Sequence, residues 1–121
     1  MDSPLLKNTD FNLFFLKNIA TVSKSCNFEV CGAVAQDKIY FFENLSPTPK
    51  ENFVVHPQKY SKIYSKIVFF FHSHCLGASK PSDLDIELSN ELAKPFLIYS
   101  TVDKNFSFYT PKDKKLIYFS L

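Results

Sequence analysis

The chain has 121 residues, 45% of them hydrophobic and 17% aromatic, which is enough to build one core and implies one domain, 1–121. Its net charge is +2 and all 14 basic residues are lysines; with no arginine for bidentate contacts to phosphate or guanine, nucleic acid is not an expected partner. Three cysteines (Cys26, Cys31 and Cys75) without disulfide-framework spacing imply a reducing compartment, "MDSPLLKNTD" does not read as a secretory leader, and the longest apolar run, "IVFFF", is too short for a bilayer, so a cytoplasmic protein with no membrane partner is expected.

Thr9 or Asp10 can cap a first helix whose apolar stripe is Phe11, Phe15, Ile19, Val22 and Cys26, with Asn27 ending it in the left-handed conformation. "FEVCGAVA", Phe28 to Ala35, reads as a strand and "KIYFFE" as its hairpin partner across Gln36 and Asp37. "NLSPTPKEN" is a proline-punctuated loop, and "FVV", Phe53 to Val55, a short strand. Pro57 suits the first turn of a second helix with Tyr60, Ile63, Tyr64 and Ile67 on one face. "IVFFFHSH" is apolar on both faces and so belongs at the centre of a covered sheet. Ser82 starts a third helix carrying Leu84, Leu88 and Leu92, which Pro95 terminates. Three strands close the chain: "FLIYST", "FSFYT" and "LIYFS". The sum is a mixed α/β domain, a sheet flanked by about three helices.

The chemistry gathers in "FFFHSHCLGASKPSDLD". Side chains alternate along a strand, so His72 and His74 face the same side and can share one Zn2+. Seven residues later come Ser82 and, one helical turn on, Asp85, whose carboxylate makes a third ligand. Three protein ligands leave one position for water, the catalytic pattern. Each half has a plainer reading: Ser-x-x-Asp is close to a capping box, and the histidines can be ordinary core or surface residues. Two same-face imidazoles after five apolar residues need partners, however, and the metal reading supplies them while leaving Ser82 free to cap. A zinc deaminase is disfavoured because no Cys-x-x-Cys pair exists.

His72-Ser73-His74, seven residues, Ser82-x-x-Asp85, with Glu29 and Gly32 in "FEVCGAV" upstream, resembles the JAMM or MPN-type zinc metallopeptidases. Asn44 and "FVVHPQKY" also look like that family's pattern, so the likeness runs from about Phe28 to Tyr99. The resemblance implies a cytidine-deaminase-like domain and one Zn2+ held by His72, His74 and Asp85. It further implies Glu29 as general base toward the attacking water and Ser82 as hydrogen-bond donor to the oxyanion. Cys31, Cys75 and Ser73 are candidates to line the site; Cys75 departs from the family's usual proline, and Ile86 stands where a polar residue is common. Cys75 is expected to be an inert thiol and Cys31 to pack as a small hydrophobe. The compact form resembles the prokaryotic and phage-tail branch, which implies a protein or peptide substrate, a ubiquitin-like protein or tail component among the choices, and an NlpC-type peptidase as partner. The rival expectation is a catalytically silent binding or assembly module on the same fold.

Overall fold

The computed structural model describes residues 13–121. They form α1 (Leu13–Lys24), β1 (Cys31–Ala35), β2 (Lys38–Phe42), β3 (Ile67–His74), α2 (Asp83–Leu92), β4 (Phe96–Ser100), β5 (Asn105–Thr110) and β6 (Lys115–Phe119). One six-stranded sheet runs in the order β2-β1-β3-β4-β5-β6. Neighbours pair antiparallel except β3 and β4, which are parallel and joined through α2. A parallel pair needs such a crossover, and this one carries the chain from the end of β3 over one face of the sheet.

Both faces are covered, as the uninterrupted apolar run of β3 requires. On one face Phe15, Leu16, Ile19 and Ala20 of α1 pack on Val34, Phe69, Phe71, Leu97 and Phe106. On the other, Leu88 and Leu92 of α2 join Phe53, Tyr60 and Ile63 over Ala33, Ala35, Ile67, Phe70 and Phe96. Alternation along β3 therefore sends Phe70, His72 and His74 to the α2 face and Phe69, Phe71 and Ser73 to the α1 face. Gly32 is the one position where β1 must be bare. A Cβ there would sit 2.0 Å from the Tyr40 carbonyl oxygen and 2.3 Å from the Phe71 ring.

Several sequence expectations need correction. Two α-helices, not three, flank the sheet among the described residues. The stretch from Pro57 makes only short 3-10 turns, Pro57–Lys59 and Tyr64–Lys66, before β3 begins at Ile67. Tyr60, Ile63 and Tyr64 are aromatic or β-branched and weak helix formers. The turns already bring Tyr60 and Ile63 onto the core, and Ile67 has to extend to pair with Ala35. Residues 53–55 lie outside the sheet because their backbone is bonded elsewhere: Val54 N–H donates to Asn44 Oδ1 (3.1 Å), and the Val54 carbonyl accepts from Leu45 N–H (2.8 Å). β1 begins at Cys31 rather than Phe28, which leaves Glu29 just ahead of it.

The first helix ends at Lys24, and Asn27 is not left-handed. Its proposed cap, Thr9 or Asp10, and Phe11 lie outside the described residues; Phe15 and Ile19 of the stripe are buried. The third predicted helix, α2, closes on Ala93 in the left-handed region (φ 56°) ahead of Pro95. Among the described residues no helix is long and apolar enough to cross a membrane.

Candidate metal centre

The end of β3 delivers His72 and His74 to the α2 face, and the helix start delivers a carboxylate to meet them. Ser82 caps α2: its Oγ accepts the Asp85 N–H (3.1 Å), and its own N–H donates to Asp85 Oδ2 (2.9 Å). This is a complete capping box with aspartate at its third position. The carboxylate so held also turns Oδ1 to His72 Nε2 and Oδ2 to His74 Nε2, each at 3.1 Å. His74 Nδ1 lies 2.7 Å from the Ala78 carbonyl oxygen. A carbonyl accepts only, so Nδ1 carries the proton and Nε2 is directed at the carboxylate to bind a proton or a cation.

Glu29 approaches from just ahead of β1, the strand beside β3. The antiparallel register that sets Cys31 against His72 brings it there. Its N–H donates to the Pro49 carbonyl (2.7 Å), and its carbonyl accepts from Asn44 Nδ2 (2.9 Å). Asn44 also donates to the Asn52 carbonyl (3.1 Å) and accepts from Ser46 N–H (3.0 Å) and Val54 N–H. One amide thus ties the main chain of Glu29 to the loop after β2. One ligand atom from each of Glu29, His72 and His74 lies within 4.8 Å of the others.

The charge states follow from this packing. Burial pushes the Glu29 carboxyl up to about 7; the nearby His74 opposes the rise and Asp85 adds to it. Burial also works against the Asp85 anion, but the His72 and His74 imidazoles and the Ser82 N–H outweigh it and hold that carboxyl well below the ordinary range. His72 is fully buried, which lowers its pKa despite Asp85 and keeps the ring neutral. Burial lowers His74 too, but its hydrogen bonds to Asp85 and Ala78 and the two carboxylate charges leave it raised.

His72 decides whether the donor set fits a metal. It is 0% exposed, and neither ring nitrogen makes a hydrogen bond. The 3.1 Å from Nε2 to Asp85 Oδ1 is hydrogen-bond spacing without hydrogen-bond alignment. A buried polar ring left this way is costly. Tetrahedral zinc with ligands at about 2.0–2.1 Å holds them about 3.3 Å apart, close to the two Asp85–imidazole separations. Two imidazoles, an ionised carboxylate and a further glutamate are the ligand types zinc takes. The donor types and spacing fit such an ion: Glu29, His72 and His74 form the cluster within 4.8 Å, and Asp85 stands 3.1 Å from both imidazoles.

The centre forms the floor of an open cleft of about 470 Å³ that Glu29, His74, Ser82 and Asp85 all line. One wall is the Lys50–Phe53 segment and the other runs from Leu76 to the first turn of α2. The Phe53 ring centroid lies 4.4 Å from that of His72, and the Phe96 centroid lies 5.7 Å from it in a T-shaped arrangement, which clamps the imidazole.

No family model matches the sequence, and no curated protein matches it. Solved structures do. A protein from Desulfitobacterium hafniense superposes with a TM-score of 0.64 at 18% identity, over 90% of this chain and 88% of the other. A JAB1/MPN domain protein from Archaeoglobus fulgidus gives 0.58 at 19% identity, over 87% and 91%. A JAMM structure described as a metalloprotease-like zinc site in the proteasome and signalosome gives 0.54 at 21% identity, over 88% and 89%. The chain has the JAB1/MPN fold.

Within that fold the remaining sequence candidates separate. Ser73 does not face the cleft: its Oγ accepts the Val30 N–H (2.8 Å) on the α1 side, and its N–H donates to the Val30 carbonyl (2.8 Å). It braces the residue after Glu29. Cys31 shares the face of Glu29, as alternation requires, but is packed away at 1% exposure with Sγ 3.6 Å from the Phe42 carbonyl. Burial and the Glu29 charge push its thiol up to about 12. Cys75 is half-buried, and its Sγ donates to the Lys50 carbonyl (3.2 Å); burial first and Glu29 second raise its pKa, so it stays a thiol. His56 caps the first 3-10 turn by accepting Gln58 N–H (3.2 Å). No spacing or motif assigns a site role to Phe53 or to the hydrogen bonds of Asn44. The signals for Asn44 were its place in a proline-punctuated loop and its match to the family's pattern.

Proposed function

We propose that this chain is a zinc-dependent peptidase or isopeptidase that hydrolyses an amide bond. The observation carrying the reading is Glu29, His74 and Asp85 meeting on the floor of an open cleft, with the His72 imidazole beside them buried and unbonded. Its support is the JAB1/MPN fold shared with a structure described as a metalloprotease-like zinc site.

Bound to His72, His74 and Asp85, zinc supplies Lewis-acid polarisation and makes water acidic enough to lose a proton near neutral pH. The chain's own groups do the rest. Glu29, which lines the same cleft, takes the proton of the attacking water and returns it to the leaving nitrogen. Ser82 Oγ already accepts from the Asp85 N–H, so its hydroxyl proton is free to turn into the cleft toward a developing oxyanion. The Ala78 carbonyl on His74 and the Ser82 N–H on Asp85 orient those two side chains as ligands.

The short connection from β2 to the first 3-10 turn fits the compact prokaryotic or phage-tail branch of the fold. A ubiquitin-like protein or a tail component then serves as substrate and an NlpC-type peptidase as partner. Three free cysteines suit a cytoplasmic setting. The test is hydrolysis of a proteome-derived peptide mixture read by mass spectrometry. Zinc-loaded protein should cleave it, chelator should stop cleavage, and Glu29→Gln should slow it at least about 100-fold. No cleavage by zinc-loaded protein, or full activity in Glu29→Gln, would favour the silent binding or assembly module.

A further inference from the structure

A second cavity opens beside the cleft. It encloses about 240 Å³ between α2 and the stretch from Phe53 to Tyr60, and its walls include Phe42, Phe53, Val54, Tyr60, Leu88 and Leu92. Native packing leaves few voids larger than a water molecule, so a space of this size is not a packing defect. It is smaller than the roughly 300–1,000 Å³ of pockets that hold a drug-sized ligand, and suits one bulky side chain. Among the described residues, no charged group lines it.

Phe53 and Leu88 line both this pocket and the catalytic cleft. Phe53 is a partition: one side of it lies over the His72 ring, and the other bounds the apolar pocket. Val54 is 49% exposed and so stands where the pocket meets solvent. The cleft continues the same character, since Leu76 and Leu84 are 66% and 62% exposed on its rim.

We infer that this pocket is a specificity subsite that takes a large apolar side chain, leucine, methionine or phenylalanine, from a peptide lying in the cleft. The placement beside a scissile bond rests on the hydrolase reading above; the apolar ligand class rests on the pocket walls alone. Phe53 and Val54 are then specificity-determining residues. A glycine at that substrate position leaves the pocket unfilled and forfeits the apolar contact that a large side chain gains.

Two measurements test this, and they fail independently. In the first, N-acetyl-phenylalaninamide and N-acetyl-glycinamide are titrated into the protein, with methyl NMR signals as the readout. The phenylalanine amide should give saturable shifts of Val54, Val55, Leu88 and Leu92 at concentrations on the order of 10 mM. The glycine amide should give none, and the His74→Ala protein should behave as wild type because the pocket does not depend on the metal. Val54→Asp sets a charge at the mouth without entering the core and should weaken binding about fivefold or more. In the second, zinc-loaded protein cleaves peptides that differ at one residue beside the scissile bond. Leucine or phenylalanine should exceed glycine about tenfold or more in kcat/KM, and Val54→Asp should narrow the gap. Cleavage without apolar preference, or equal shifts by the two amides, overturns the subsite. Probe binding with no cleavage of any peptide overturns the hydrolase reading instead.

Discussion

Replacing Glu29 by glutamine should stabilise the metal-free protein at alkaline pH while slowing the proposed hydrolysis. The native carboxyl titrates near 7 against an ordinary value of 4.5, with burial the largest cause. Between those two values the folded chain keeps a proton that the unfolded chain has released. The native state is therefore favoured below about 4.5 and loses that advantage as pH rises through about 7. The full interval corresponds to about 3 kcal/mol. Glu29 is only 5% exposed, yet it lines a cleft open to water, so solvent screening reduces the effect to about 1–2 kcal/mol. Glutamine keeps the shape and has no proton to lose. In urea unfolding of chelator-treated protein, wild type and Glu29→Gln should be nearly equal at pH 4, and the variant more stable by that amount at pH 8. Added zinc should erase the gain, because the cation favours the carboxylate. Parallel stabilities of the two proteins across the range would refute the buried, strained carboxylate on which the general-base role depends.

Gly32→Ala should cost more than about 3 kcal/mol or prevent folding, read by thermal melting, since its Cβ meets a main-chain oxygen at 2.0 Å that no rotamer change can move. Ser82→Ala should lose a helix cap worth about 1 kcal/mol in urea titration and slow hydrolysis about 100-fold or more with zinc content unchanged. Full activity in that variant would reduce Ser82 to a cap. Asn44→Ala should lower stability by about 2–3 kcal/mol, since four backbone acceptors or donors lose a partner, and should speed amide exchange at Ser46 and Val54. Unchanged exchange there would mean that the loop holds Glu29 without Asn44.

What the sequence revealed was mostly local. The two-residue spacing of His72 and His74 and the one-turn spacing of Ser82 and Asp85 fix faces without any tertiary knowledge. The capping box and the third ligand proved to be one carboxylate, so two competing readings of Ser-x-x-Asp describe the same geometry. Glu29 lies 43 residues before His72, and only the family resemblance placed it; the physical link is the β1–β3 register. Periodicity misled at Tyr60, Ile63 and Tyr64. Short 3-10 turns bring Tyr60 and Ile63 to the core as readily as a helix would. Asn44 stood out only through the family resemblance, because the partners of its side chain are backbone groups, which leave no pattern in a sequence.

Zinc content tests the central claim most directly. The protein is purified without chelator or histidine tag, and zinc per chain is determined by elemental analysis beside His74→Ala. His74 is the better probe because its side chain is 16% exposed, whereas truncating the fully buried His72 would open a cavity in the core. About one zinc per wild-type chain, lost in the variant with its circular dichroism unchanged, is the expected result. Wild-type protein that retains no zinc after loading and dialysis would contradict a metal centre at His72, His74 and Asp85.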